Sequence, residues 1–239
     1  MQLFSPIQNH ILSKLKNAKS LRYSEMQMEG TPNDLYNYHL QFLVKKGFVD
    51  KIDDGYMLSE SGIHHVADPY TVPGDPMITS LFKVNVITIV SRVRDGKLEI
   101  LNQVRGSNPS YGKVGVMGGV VWKGELTLDA APRKLEEETG LTAKFKLIGM
   151  ERRIMHVDGK LFSDVLFPIA YADNYSGTLA NTGFGENMWV GIDQAIKNES
   201  HPFDSIGSIK KVLELIRDGK IDSTPFFYTE DIKKGSFDK

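Results

Sequence analysis

The chain has 239 residues, of which 41% are hydrophobic and 25% charged, a composition typical of folded globular proteins. Its formal net charge is −1, so no global basic field points to nucleic acid. The chain has no cysteine, which excludes disulfides, thiolate metal sites and cysteine nucleophiles. Its start lacks the regions of a signal peptide, and no apolar run approaches the length of a membrane span. These features predict a cytoplasmic protein that does not contact membranes.

Residues 1–68 have the pattern of a compact helical domain. Ser5 followed by Pro6 is a typical helix start, with a serine cap and proline at the first helical position. Asp53-Asp54-Gly55 separates two short apolar runs and predicts a tight β-hairpin. In chain order we expect a helix from Pro6 to Leu15, a short helix from Ser24 to Met28, a third helix from Thr31-Pro32 to Gly47, the hairpin, and a last helical turn after Gly62.

Three helices followed by a two-stranded ribbon resemble a winged helix-turn-helix domain. The run NDLYNYHLQFLVKKGFV is similar to the recognition helix and wing of small bacterial regulators. On this third helix Asn33, Asn37, Gln41 and Lys45 recur every four residues, opposite the apolar stripe. Asn and Gln pair with adenine edges in the major groove, and lysine reaches phosphates. The resemblance therefore implies double-stranded DNA as a partner.

The charge distribution keeps a second role open for this domain. Residues 1–46 hold six basic and three acidic residues, a net charge of +3. Residues 47–68 hold one basic and five acidic residues, a net charge of −4. An acidic wing is repelled by phosphates, which are the main source of protein–DNA affinity. The four polar residues can equally be the solvated side of a helix, in a domain that mediates dimerisation or protein docking, so a homodimer is also possible from the sequence.

Residues 69–76 lie in a stretch rich in proline and glycine that predicts a linker. The second domain is expected at 77–220, followed by a tail at 221–239. The strand-rich run KVNVITIVSRV is joined by Asp95-Gly96 to KLEILNQV, which predicts a hairpin. Further elements are predicted as strands at 144–150, 152–155 and 161–173 and a helix at 203–216. The aromatic residues of the tail are expected to dock on their own domain or on a dimer partner.

Residues 119–141, GVVWKGELTLDAAPRKLEEETGL, combine a glycine loop, an acid and a helix. The helix is predicted to begin within residues 126–129, with Pro132 in its first turn, and to end at Gly140. Near its end Glu137 and Glu138 follow position 134 by three and four residues, so all three share one face. Paired carboxylates beside a glycine loop suit a hard cation such as Mg²⁺, which bridges to phosphates.

This stretch resembles the Nudix box, whose pattern is Gly, five residues, Glu, seven residues, Arg-Glu-aliphatic, one residue, Glu-Glu, one residue, Gly-aliphatic. Eight of the nine fixed positions match, and the exception is Lys134, where the family has a metal-binding glutamate. The resemblance implies an α/β (α+β) fold class, with a Nudix α/β/α sandwich built on a mixed sheet. It also implies a nucleoside diphosphate derivative as substrate, with Mg²⁺ or Mn²⁺ as cofactor.

The resemblance assigns roles to individual residues of the box. Glu137 and Glu138 would bind the metal, and the carbonyl of Gly118 is a further candidate ligand. Glu125 and Arg133 would form an ion pair that fixes the loop on the helix.

Two further positions outside the helix are candidates from the same resemblance. Glu186 is the candidate for the additional acid, or else a surface residue. Arg105 is ranked first among the basic residues that can meet phosphates, and Gly119 would lie at the substrate.

Lys134 divides the expectations for this site. Its ammonium can reach Glu138 at i+4 and Glu137 at i+3, and could satisfy both carboxylates in place of metal. Alternatively its stem points outward and metal binds between the glutamates. The first functional interpretation is therefore a Nudix pyrophosphohydrolase that carries a winged-helix domain. The alternative is a transcription regulator whose catalytically weakened Nudix domain senses a nucleotide metabolite.

Overall fold

A computed structural model describes residues 4–67, 83–198, 206–222 and 226–235, and it shows a mixed α+β protein. The chain divides into two compact units. The first contains the described residues up to 67 together with 106–111, and the second contains the other described residues. The predicted linker at 69–76 lies outside the described residues. No helix within the described ranges is long and apolar enough to cross a membrane.

The first unit has the helices and the hairpin that its sequence predicts. They are α1 (Pro6–Lys16), α2 (Tyr23–Met26), α3 (Asn33–Lys45), β1 (Val49–Ile52), β2 (Gly55–Leu58) and α4 (Glu60–Ala67). Ser5 caps α1 as expected, because its hydroxyl accepts from the Gln8 amide at 3.2 Å. Helix α2 begins one residue earlier than predicted, because Glu25 accepts from the Arg22 amide at 2.6 Å and closes the first turn there.

Helix α3 packs its apolar stripe against the rest of the first unit. Tyr36, Leu40 and Leu43 are completely buried, as is Ile11 of α1. The Tyr36 hydroxyl donates to the carbonyl of Met26 at 2.7 Å, and burial raises the pKa of Tyr36 to about 12. The opposite side of α3 is therefore left facing solvent.

The second unit is organised around one twisted mixed sheet. Its strands run in the order β11-β4-β3-β9-β8-β12, with β5 paired to β4 and β6 paired to β3. The β3–β9 and β8–β12 pairs are parallel, and the other pairs of this sheet are antiparallel. A separate small ribbon joins β7 and β10. The strands are β3 (Lys83–Arg94), β4 (Lys97–Arg105), β5 (Val114–Gly115), β6 (Met117–Val120), β7 (Leu141–Ala143), β8 (Lys146–Val157), β9 (Lys160–Ala172), β10 (Tyr175–Gly177), β11 (Gly185–Gly191) and β12 (Phe226–Lys234).

Helices cover both faces of this sheet. Successive residues of a strand point to opposite faces, so Val86 and Ile87 of β3 belong to different buried clusters. The Val86 cluster includes Leu135 of α5 (Thr127–Thr139), and the Ile87 cluster includes residues of α6 (Ile192–Ile196) and α7 (Ile206–Arg217). Among the helices that the structure describes in this unit, α5, which carries the candidate site, therefore packs on the face opposite α6 and α7.

Two expectations about the second unit are wrong. The predicted strands at 144–150 and 152–155 are one strand, β8, because the separating Glu151 is fully buried and accepts from Arg153 Nε at 2.7 Å. The predicted tail forms β12, a strand added in parallel beside β8. Of the predicted helix at 203–216, the structure describes 206–217 as α7, and the earlier residues lie outside its described part.

Candidate functional site

Helix α5 presents the acidic and basic residues of the candidate site. It ends as predicted at Gly140, whose φ of 72° places it in the left-handed conformation that favours glycine. Pro132 does not lie in the first turn, since the helix already begins at Thr127 and Pro132 is inside it. Because proline has no N–H, the carbonyl of Leu128, four residues earlier, lacks its usual helical hydrogen bond. Leu128 is exposed, so water can solvate this carbonyl.

Glu125 and Arg133 form the predicted ion pair, which we call the brace. Arg133 Nε donates to Glu125 Oε1 at 2.6 Å and Nη2 donates to Oε2 at 2.7 Å, a two-point contact between planar groups. The Trp122 amide donates to the same carboxylate at 2.9 Å, and the Arg133 guanidinium lies 3.8 Å from the Trp122 ring centroid. Arg133 also donates to the carbonyl of Val120 at 3.0 Å, so the brace ties the glycine loop to α5.

The brace perturbs the ionisation of its carboxylate. The hydrogen bond from Arg133 is the largest influence and lowers the pKa of Glu125 to about 2. Glu137 lies one helical turn after Arg133 on α5. Burial opposes the ionisation of Glu137, but hydrogen bonds from Lys134 and Arg133 hold the pKa of its carboxyl below the ordinary value. Both carboxylates are therefore kept charged by neighbouring cationic side chains.

The ammonium of Lys134 lies between the two carboxylates that the box assigns to a metal. Its Nζ is 3.1 Å from Glu137 Oε2 and 3.0 Å from Glu138 Oε1. Lys134 is 12% exposed and Glu138 is 8% exposed, so this contact is shielded from solvent. Of the two arrangements that the sequence leaves open, the structure has the lysine turned inward.

Gly119 and Phe184 hold the lysine in this position. The stem of Lys134 crosses Gly119 so closely that a Cβ at that position would lie 2.6 Å from Lys134 Cδ. Its ammonium lies 4.7 Å from the centroid of the Phe184 ring. Gly119, which the sequence places at the substrate, makes room for the lysine stem in this structure.

These side chains do not fit a resident divalent cation. The acidic groups Glu125, Glu137 and Glu138 are matched by the three cationic groups Arg133, Lys134 and Arg105. Burial lowers the pKa of Arg105 and the nearby Glu138 raises it, which places this arginine beside the same cluster. The charges balance without an ion, and the described part of the chain holds no group of three acidic, histidine or cysteine side chains arranged to bind a metal.

The C-terminal end of α5 is held by residues that the sequence did not single out. The carbonyl of Glu138 accepts from Thr182 Oγ1 at 3.0 Å and from Asn187 Nδ2 at 2.8 Å. Asn187 also donates to the carbonyl of Ala180 at 2.8 Å and accepts from Gln103 Nε2 at 3.2 Å. These contacts fix the segment that carries Phe184, and no spacing in the sequence marks them because they depend on tertiary contacts.

Comparison with known proteins identifies the family to which the second unit belongs. The NUDIX domain family profile matches residues 82–211, which span most of the second unit. The chain belongs to the NUDIX domain family.

Individual relatives and solved structures are similar to parts of the chain. Over 123 residues the chain is 32% identical to the oxidized purine nucleoside triphosphate hydrolase of Danio rerio, a match that covers 48% of this chain and 70% of the relative. The MutT protein from Bacillus halodurans matches with a TM-score of 0.50 at 20% identity, over 63% of this chain and 90% of that one. The NUDIX domain of Shewanella oneidensis NrtR complexed with ADP ribose matches with a TM-score of 0.49 at 16% identity. This match covers 68% of this chain and 99% of that one.

Two further residues assigned from the resemblance, Glu186 and Gly118, belong to strands of the sheet. Glu186 is in strand β11 and is exposed. Its neighbour Asn187 reaches the carbonyl of Glu138, so Glu186 points to the opposite face of the sheet. Gly118 pairs with Ile87, and a Cβ there would lie 2.8 Å from the Val86 carbonyl oxygen, which gives this glycine a packing role.

The four polar residues predicted on α3 are all exposed, but they are not equally available. The side-chain amide of Gln27 donates to Asn33 Oδ1. Gln41 Nε2 lies 3.4 Å from Asn37 Oδ1, at the long limit of a hydrogen bond, and Lys45 is exposed at the end of the helix. Asn37, Gln41 and Lys45 are therefore better placed than Asn33 to meet a partner.

Proposed function

We propose that this protein is a DNA-binding regulator whose NUDIX domain binds a nucleoside diphosphate derivative and hydrolyses it slowly or not at all. The observation that carries the proposal is the Lys134 ammonium, held 3.0 and 3.1 Å from the carboxylates of Glu138 and Glu137. Replacing a carboxylate by an ammonium changes the local charge by two. At about 1 to 4 kcal/mol for each close pair near a surface, this change is large enough to weaken divalent cation binding by orders of magnitude.

The same cluster supports a role in binding. Lys134, Arg105 and Arg133 supply three cationic groups around a shielded patch, and phosphate oxygens are acceptors that ammonium and guanidinium groups prefer. A diphosphate that approaches Lys134 competes with Glu137 and Glu138 for the ammonium. Ligand binding would then rearrange the end of α5 and the segment of Phe184 that Thr182 and Asn187 attach to it. A regulator needs such a ligand-dependent change between two states.

The first unit supports the DNA-binding part of the proposal. Its order of three helices, a hairpin with a two-residue turn and a fourth helix resembles that of a winged helix-turn-helix domain and supports the proposal. Helix α3 buries one stripe and leaves Asn37, Gln41 and Lys45 exposed on the other side. The acidic residues of the hairpin argue for the docking role instead, so duplex binding by the full chain is the property to measure.

The second candidate function is a Nudix pyrophosphohydrolase that uses Mg²⁺ or Mn²⁺. Eight of nine box positions favour it, together with the brace between Glu125 and Arg133 that fixes the loop as an active site would need. Oxidised purine nucleoside triphosphates are suitable probes, because the similar Danio rerio protein is named as their hydrolase. Nucleotide sugars, dinucleoside polyphosphates and ADP-ribose complete a panel of nucleoside-phosphate compounds.

The regulator proposal is tested by fluorescence anisotropy of a labelled duplex pool with the full chain, with and without each compound of the panel. We expect salt-dependent binding, and a change in affinity of several-fold with at least one compound in EDTA. Lys45→Ala should weaken binding to all sequences and reduce the salt dependence, whereas the exposed Lys97→Ala in the second unit should not. An absence of duplex binding at low ionic strength would refute the regulator and favour the docking role.

A further inference from the structure

Helix α3 exposes apolar side chains on the face that its buried stripe leaves free. Tyr38 is 64% exposed and Leu35 is 46% exposed, three residues apart and thus neighbours on the helix surface. Gln41 and Lys45 follow Tyr38 at i+3 and i+7 and share its side of the helix. A single exposed apolar residue is ordinary, but here Tyr38 lies beside Gln41 and Lys45, and Leu35 extends the apolar surface on the other side of Tyr38.

The ring of Tyr38 is supported from its own unit. It contacts the ring of His39 edge-on, with centroids 5.3 Å apart. His39 Nδ1 lies 3.3 Å from the hydroxyl of Ser5, the residue that caps α1. The His39 ring that contacts Tyr38 is therefore held in turn by the residue that caps α1, and the rest of the Tyr38 ring is exposed.

The occupant that fits this face is duplex DNA. Lys45 and Lys46 are exposed at the C-terminal end of α3, and basic residues outnumber acidic ones by six to three up to residue 46, whereas the hairpin that follows is acidic. Leu35 and Tyr38 lie in the N-terminal half of α3, the half from which a recognition helix touches base edges. Lys45 lies at the other end, where contacts to the phosphate backbone are made.

We infer that Leu35 and Tyr38 contact the C5-methyl groups of thymine, so that the preferred duplex places A·T pairs opposite the N-terminal half of α3. The inference rests on the proposed function, because it names the base pairs that the DNA-binding unit would select. Thymine presents the methyl group in the major groove, and apolar side chains read it there. The adenines of the same or neighbouring pairs offer the edge that Asn37 and Gln41 can bind in a bidentate manner.

The test uses the full chain to enrich bound duplexes from a random pool and then replaces single thymines of the enriched sequence by deoxyuridine. This replacement removes the methyl group and keeps base pairing. We expect affinity to fall about fourfold at each methyl that is contacted, as for one buried methylene. In Tyr38→Ala or Leu35→Ala the loss at the corresponding thymine should disappear. Phe227→Ala, at an exposed aromatic residue of β12, should leave the loss unchanged.

The outcomes separate the inference from the proposed function. If the full chain binds no duplex at low salt, both are wrong. If it binds a specific sequence with no effect of deoxyuridine, or with the same effect in Tyr38→Ala and Leu35→Ala, the regulator stands and the thymine contacts are refuted. Melting temperatures of the two variants, which should match that of the wild type because both positions are exposed, exclude misfolding as the cause.

Discussion

Breaking the brace between Glu125 and Arg133 should destabilise the second unit whether or not the protein is an enzyme. The two side chains are 13% and 19% exposed, which places their ion pair between a buried and a surface pair. Surface pairs contribute up to about 1 kcal/mol, and removing one partner of a buried pair costs about 3 to 5 kcal/mol. We therefore expect Arg133→Ala to lower the free energy of unfolding by about 2 to 3 kcal/mol, because it also removes the Trp122 contact.

The pH dependence of the free energy of unfolding tests the contribution of the same ion pair in a second, independent way. The folded-state pKa of Glu125 is about 2, below the ordinary value of 4.5, so its contribution is complete above pH 4.5 and is lost as pH falls towards 2. A shift of this size corresponds to about 3 kcal/mol, which solvent at the edge of the pair reduces to about 1 to 2 kcal/mol. Glu125→Gln should remove this part of the acid sensitivity.

Urea unfolding at pH 7 and at pH 3, followed separately for each unit by hydrogen exchange, measures both effects. The pair of Arg152 and Asp164, whose arginine is exposed and whose aspartate is partly buried, serves as a control, and Asp164→Asn should cost less than Arg133→Ala. If Glu125→Gln and Arg133→Ala remove ligand binding or turnover with unchanged stability, the brace acts on the ligand and the structural assignment is wrong.

Two further variants test the contacts around the lysine and the end of α5. Gly119→Ala should lower the free energy of unfolding in urea by about 1 kcal/mol, because the new Cβ meets the stem of Lys134. This loss of stability should vanish in a Lys134→Ala background. Equal losses in both backgrounds would contradict the close approach of the two residues. Asn187→Ala should lower stability by about 1 to 2 kcal/mol, because it removes the Asn187 bond to the Ala180 carbonyl and one of the two side-chain bonds to the Glu138 carbonyl. Asn187→Asp should cost more because its charge faces the same two carbonyls. A melting curve of Asn187→Asp that matches the wild type would refute that network.

Local sequence signals predicted the elements of this protein well where the signal is itself local. Ser5 and Gly140 begin and end helices through contacts within a few residues, and Asp53-Asp54-Gly55 closes a hairpin of neighbouring strands. The brace was also predictable, because Glu125 and Arg133 belong to a motif with fixed spacing. In each case the residues that cause the structure lie close together in the chain or in a known pattern.

The features that the sequence did not predict depend on partners far away in the chain. The strand β12 forms because β8 offers a free edge, and nothing within the last residues indicates that pairing. The gap predicted between strands at residue 151 is absent because the charge of Glu151 is compensated by Arg153 within the folded sheet. The contact of Asn187 with Glu138 joins residues 49 positions apart, and only the packed structure reveals it.

The direction of the Lys134 side chain is the central feature of this account, and it too was left open by the sequence. Helical spacing allowed the ammonium to reach Glu137 and Glu138, but it equally allowed the stem to point into solvent. The inward position depends on the space above Gly119 and on the ring of Phe184, which is distant in sequence.

Calorimetric titration of the protein with Mg²⁺ tests that feature most directly. If the ammonium occupies the place of the ion, the wild type should bind Mg²⁺ weakly, and Lys134→Glu should bind it at least about tenfold more tightly. Lys123→Glu, which makes the same change of charge at an exposed position of the loop, should behave as the wild type. Turnover of the nucleotide panel should rise in Lys134→Glu together with Mg²⁺ affinity. A wild type that is saturated at about 1 mM Mg²⁺ and turns over rapidly, with little change in Lys134→Glu, would contradict the account.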